Sequence, residues 1–212
     1  KTSNFKYIFD IARKNNIPFA IHAGEADGPE SIRNAIEFGT KRIGHGVRCI
    51  EDESLMRELV EKDITLEICP ISNLQTQAVH GTHPIEKIYR RGIHTTISTD
   101  NNTVSNTNIF EEYEYILDNT NLSVDDLINM NINAARSAFT TPQKRAELVQ
   151  KINMYKDYLN NGKRTIIRKF KRAVTDSDTE IRFDPENKPG VSNLMSIYAA
   201  ITGETFEQVE AD

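Results

Sequence analysis

The stretch Ile17-Pro18-Phe19-Ala20-Ile21-His22-Ala23-Gly24-Glu25 decides the fold. Phe19, Ala20 and Ile21 form an apolar run after a polar turn, which reads as a short buried strand. The run ends abruptly in a histidine, two small residues and a carboxylate. In parallel α/β architectures, polar side chains at the carboxyl end of a buried strand face the active site. His22 and Glu25 therefore stand where chemistry would be placed. The competing reading is a core histidine followed by a helix-capping glutamate, since buried ionisable residues need a partner or a job.

The same pattern recurs outward along the chain. A helix is expected over 28–38, with Ile32, Ala35 and Ile36 on one face and Gly39 as its stop. A second strand, 42–46, ends at His45. A helix over 53–62 turns Leu55, Met56, Leu59 and Val60 inward. The third strand, 65–69, is stopped by Pro70 and followed by Ser72-Asn73. A polar loop through His80 and His83 leads to a helix over 85–91. The fourth strand, 93–98, ends in Thr99-Asp100-Asn101. Helices are then expected near 108–117, 124–138 and 141–159. Gly162 costs a helix only about 1 kcal/mol, so the last one is free to continue.

Strands alternating with helices imply a parallel sheet built of right-handed crossovers. Each strand ends in groups capable of site chemistry: His22 and Glu25, His45, the Cys69-Pro70-Ile71-Ser72-Asn73 corner, and Asp100 with Asn101. In a (β/α)₈ barrel those positions form the catalytic rim, and four strands make half of such a barrel. Lys1 is not a methionine, and Phe5, Ile8, Phe9 and Ile11 already show helical spacing. The chain reads as starting inside a helix, with the other half-barrel expected before it.

Composition fits a globular protein with a core: 212 residues, 38% hydrophobic, 27% charged, net charge −5. The negative balance argues against a general nucleic-acid surface. Cys49 and Cys69 make no C-x-x-C pair, which suits a reducing, cytoplasmic setting. No apolar run is long enough to span a membrane.

Two histidines and an aspartate at successive strand ends suit zinc, whose catalytic sites take three protein ligands and keep a position for water. His22-Ala23-Gly24-Glu25, Gly44-His45-Gly46, Cys69-Pro70-Ile71-Ser72-Asn73 and Ser98-Thr99-Asp100-Asn101, in this order, resemble the C-terminal half (strands 5–8) of the zinc-dependent adenosine deaminase family. The resemblance covers about residues 1–160. It implies hydrolysis of the amino group of adenosine, or a related 6-aminopurine, to give inosine and ammonia. It makes His22 and Asp100 zinc ligands. Glu25 gives a proton to the purine ring nitrogen, a role that needs a protonated carboxylic acid. His45 orients or deprotonates the attacking water. Asn101 stands where a second aspartate is commoner; its amide can donate to purine N7, an acceptor. The His-x-His pair of the family's first strand is absent, as is the glycine before its fifth. The chain alone is therefore expected to be inactive, and the missing half-barrel or self-association is the expected partner. His80, His83 and His94 read as surface or packing residues, two in a loop and one at the far end of its strand. The H-x-E and P-C-x-x-C signature of cytidine-type deaminases is also absent.

Composition changes after Asn161-Gly162. Residues 163–172 are basic, 180–183 read as a polar strand and 184–190 as a turn. A helix capped by Ser192 or Asn193 follows, with Leu194, Ile197, Tyr198 and Ile201 inward and Gly203 as its stop. Lys171-Arg172-Ala173-Val174-Thr175-Asp176-Ser177 and the words from Asp184 to Leu194 resemble bacterial tryptophanyl-tRNA synthetase, in a region without catalytic residues. The expected division is 1–160 for the half-barrel and 161–212 for a small, mostly helical tail. Two incomplete enzyme segments in one chain read as a chimeric or rearranged product. The alternative function is a non-catalytic assembly or RNA- or protein-binding module.

Overall fold

The computed structural model describes residues 5–172, 182–188, 191–192, 195–196, 199, 205–206 and 208, and the side chains of these except 158–172. The chain divides into two compact units, 1–153 and 154–212.

The first unit is built on four parallel strands in the order β1-β2-β3-β4: Ala20–Ala23, Arg42–His45, Thr65–Ile68 and His94–Ile97. The register pairs His22 with Gly44, Gly44 with Glu67, and Glu67 with Thr96. Side chains alternate across the pleat. In β1 this buries Ile21 and Ala23 under the helices and leaves Ala20 and His22 on the open face. Ile43, Leu66 and Ile68 follow the same rule on the covered face.

The covering helices are α1 (Lys6–Lys14), α2 (Pro29–Glu37), α3 (Glu53–Glu61), α5 (Ile85–Arg90), α7 (Ile109–Asn119) and α8 (Val124–Ser137). Their apolar stripes supply Ile32, Leu55, Leu59, Ile88, Ile116 and Leu127 to one continuous core. Their ends are set locally. Gly39, at φ +87°, takes the left-handed turn after α2. Asp52 caps α3 by accepting from the amides of Ser54 (2.9 Å) and Leu55 (3.0 Å). Arg33 of α2 donates to Asp52 and to Glu58, tying the two helices together.

The four strands and the long helices expected over 1–160 are present, whereas Arg182 and Phe183, of the strand expected over 180–183, are in no strand. Two short helices stand where the sequence predicts no element. They are α4 (Pro70–Gln75) and α6 (Asn102–Ser105). Pro70 reads as a strand stop, but it occupies the first turn of α4, where its missing N–H costs nothing.

Helix α9 (Pro142–Arg172) runs through Gly162 without a break. In the second unit, Asp184 accepts from the Asn187 amide at 3.0 Å and donates its own N–H to Ser192 Oγ at 2.7 Å. The rings of Phe183 and Phe206 stack. The expected strand residues Glu180 and Ile181, the segment Ala173–Ser177, and Asn193, Leu194, Ile197, Tyr198, Ile201 and Gly203 lie outside the described residues. Among the described residues, no helix is long and apolar enough to cross a membrane.

Candidate active site

The carboxyl ends of the four strands converge. One ligand atom each from His22, His45 and Asp100 lies within 4.8 Å of the others. His22 arrives by strand alternation. Gly44 lies beneath its ring, and a Cβ there would come within 3.3 Å of the imidazole. His45 arrives differently. Alternation assigns it to the covered face with Ile43, but the backbone turns left-handed at His45 (φ 64°) and Gly46 (φ 69°). This turn brings the buried His45 ring to 5.1 Å, centroid to centroid, from that of His22. Asp100 is also left-handed (φ 57°). Such conformations in non-glycine residues cost energy and cluster at functional sites.

Helix α4 buttresses this cluster with Ser72 and Asn73, joined by Thr76 at its C-cap. Ser72 Oγ donates to Asp100 Oδ2 at 2.7 Å. Asn73 Nδ2 bonds to His45 Nδ1 at 2.9 Å. Thr76 Oγ1 donates to Glu25 Oε1 at 3.1 Å, and Asn73 Nδ2 reaches the same oxygen at 3.4 Å. The other oxygen, Oε2, lies 3.4 Å from His45 Nε2. The helix itself is held by the buried Glu112 of α7, which accepts from the Ile71 amide at 3.0 Å and from Thr107 Oγ1 at 3.3 Å. Burial pushes the Glu112 carboxyl above its ordinary pKa.

Burial drives the His45 imidazole below its usual pKa, opposed by the neighbouring Glu25 carboxylate. His83 is also buried, and its pKa is pushed down to about 4 for the same reason. Cys49 and Cys69 are buried thiols pushed up to about 12. A thiol must be a thiolate to ligate or attack, so neither suits those roles.

Two clefts flank the cluster. One, of about 440 Å³, is lined by His22, Gly44, Glu67, Cys69, Ser98 and Asp100. The other, of about 580 Å³, opens beside Glu25, Arg48, Thr76 and His80.

The structure thus joins His22, His45, Asp100 and Glu25. Asn101 stands next in the chain, where its Oδ1 caps α6 by accepting from the Val104 amide at 3.0 Å. His94 is exposed beside Asp63, away from the site. Ser72, Asn73 and Thr76 carry no individual role in the sequence pattern, although Ser72-Asn73 lies in the Cys69-Pro70-Ile71-Ser72-Asn73 corner. The available signal was Pro70, a favoured first helical residue. Imidazole and carboxylate donors at this spacing fit a zinc ion.

The adenosine deaminase family model matches residues 1–155. The adenosine deaminase of Haemophilus ducreyi is 41% identical over 153 residues, covering 71% of this chain and 44% of that protein. That of Plasmodium gallinaceum is 41% identical over 150 residues, covering 68% and 41%. The chain therefore spans less than half the length of the curated relatives it matches. Among solved structures, an adenine deaminase from Arthrobacter aurescens superposes with a TM-score of 0.69 at 24% identity, covering 72% of this chain and 48% of that one. A zinc-bound cog1816 amidohydrolase superposes at 0.66 with 20% identity, covering 74% and 46%. These likenesses fix the fold as half of a (β/α)₈ barrel. The chain belongs to the adenosine deaminase family.

Proposed function

We propose that this chain supplies the C-terminal half of the active site of a zinc-dependent hydrolase that converts adenosine, or a related 6-aminopurine, and water to inosine and ammonia. The observation that carries this reading is the convergence of His22, His45, Asp100 and Glu25 at the strand ends. His22 and Asp100 would hold the zinc, and bound zinc makes hydroxide available near neutral pH.

The chain's own residues have separable tasks. Ser72 leaves Asp100 one carboxylate oxygen to offer, because it occupies the other. Outer partners of this kind orient metal ligands. Glu25 is aimed by Thr76 and Asn73, and its proton goes to the purine ring nitrogen. His45 holds the attacking water. Asn101 spends its oxygen on the α6 cap, so its amide protons remain to donate to purine N7. Residues 166–212 are proposed to derive from a tryptophanyl-tRNA synthetase-like segment and to take no part in this chemistry.

His22 and Asp100 alone are too few protein ligands for a catalytic zinc site. The chain alone is therefore expected to release no ammonia from adenosine. Refolding it with the N-terminal half of the Haemophilus ducreyi relative should restore the absorbance change from adenosine to inosine, together with about one zinc per pair. Substituting His22 or Asp100 by Ala should abolish both. A refolded pair that binds no zinc and turns over no purine would overturn the proposal. It would favour an assembly module, for which the open face bearing His22 is the supporting observation.

A further inference from the structure

We propose that His83 and Asn73 form a buried hydrogen-bond relay that fixes the proton of neutral His45 on Nε2, so that His45 meets the site as an N–H donor. The assignment follows from groups whose roles admit no choice. The Ile85 amide can only donate, and it donates to His83 Nδ1 at 3.1 Å. That nitrogen is therefore unprotonated, and the neutral His83 ring carries its proton on Nε2. Nε2 lies 3.3 Å from Asn73 Oδ1, which must accept. The Asn73 amide is thereby oriented, with its NH₂ turned toward His45.

On that side Asn73 Nδ2 meets His45 Nδ1 at 2.9 Å and Glu25 Oε1 at 3.4 Å. Both are acceptors. The opposite amide orientation would set donor against donor at His83 and oxygen against the Glu25 carboxylate. With Nδ1 accepting, the His45 proton sits on Nε2, facing Glu25 Oε2 at 3.4 Å. His83 is 2% exposed, Asn73 0% and His45 1%, so bulk solvent does not compete for these bonds. A fully satisfied buried network specifies one arrangement.

A nitrogen that keeps its proton cannot bind a metal or take a proton from water. It can donate a hydrogen bond. Where the deaminase reading above holds, and resting on it, His45 orients the attacking water and stabilises negative charge on its oxygen, while His22 and Asp100 ligate. His83 and Asn73 are positioning residues. The tautomer itself is independent of that reading.

The test is a long-range proton–nitrogen correlation spectrum of the full chain, labelled with nitrogen-15 and free of metal, at neutral pH. The His45 signals are assigned by their loss in His45→Gln. The expected pattern is the Nε2–H tautomer. Asn73→Asp places an acceptor against Nδ1 and should switch His45 to Nδ1–H. His83→Leu should mix the two tautomers. His83→Gln keeps a donor toward Asn73 Oδ1 and should restore the parent pattern. An Nδ1–H tautomer in the parent chain overturns the proposal by itself, even if a variant fails to fold. So does an unchanged His45 pattern in a folded Asn73→Asp chain. The spectrum needs neither zinc nor turnover, so failure of the deaminase reading shows up separately.

Discussion

His83 shows how a single residue ties stability to pH. Inside the fold its imidazole stays neutral down to about pH 4, whereas its ordinary value is 6.5. Between those values the unfolded chain binds the extra proton and the folded chain does not. The contribution is therefore complete above pH 6.5 and lost as the pH falls through about 4. The whole span is worth on the order of 3 kcal/mol. Urea unfolding at pH 7 and pH 4 should show the parent chain losing about that much more stability than His83→Gln, which cannot titrate. Equal losses in the two proteins would place His83 outside the buried relay. From the sequence, His83 reads as a surface or packing residue, because nothing in His80-Gly81-Thr82-His83-Pro84 says which histidine the loop buries. The exposed His80 and the buried His83 differ only in tertiary environment.

Among the elements, α4 carries the most consequence for its length. Its six residues bring Ser72 to Asp100, and Asn73 to His45. So short a helix is marginal by itself, since most helical stability comes from packing. The Glu112 carboxylate, accepting from the Ile71 amide, fastens its first turn. Glu112→Ala leaves that amide and Thr107 Oγ1 without their acceptor, which should cost about 1–3 kcal/mol in chemical unfolding. Glu112→Gln keeps an acceptor and should cost less. Because burial raises the Glu112 pKa, its contribution is full at low pH. It weakens as the pH rises through that raised value. The difference between the parent and Glu112→Gln should shrink in that direction. An Ala variant as stable as the parent would show that α4 does not depend on this contact.

At the scale of the whole molecule, the first unit is a sheet with two open edges. Among the described residues β1 pairs with β2 alone and β4 with β3 alone, while β2 and β3 are flanked on both sides. Unpaired strand edges invite another chain. Backbone amides on the outer edges of β1 and β4 should therefore exchange with deuterium faster than those of β2 and β3 in the chain alone. They should become protected when the N-terminal half of a relative closes the barrel. Edges already protected in the chain alone would point to self-association instead.

The sequence by itself determined the parallel order of the strands, because apolar runs alternate with helical stripes and parallel pairing requires the crossovers between. It also predicted which side chains would meet, since His22, His45 and Asp100 each stand at or just after a strand's carboxyl end. Only the tertiary structure decided how those groups are held. The left-handed turn at His45 depends on backbone bonds between segments, such as the Gly46 amide donating to the Ala23 carbonyl at 2.9 Å. Helix α4 is fastened at its first turn by Glu112, far along the chain, which accepts from the Ile71 amide. The direction of every bond from His83 through Asn73 to His45 rests on the Ile85 amide. Periodicity reports which face a residue takes. It carries no record of contacts that distant segments make, and those contacts fix the protons.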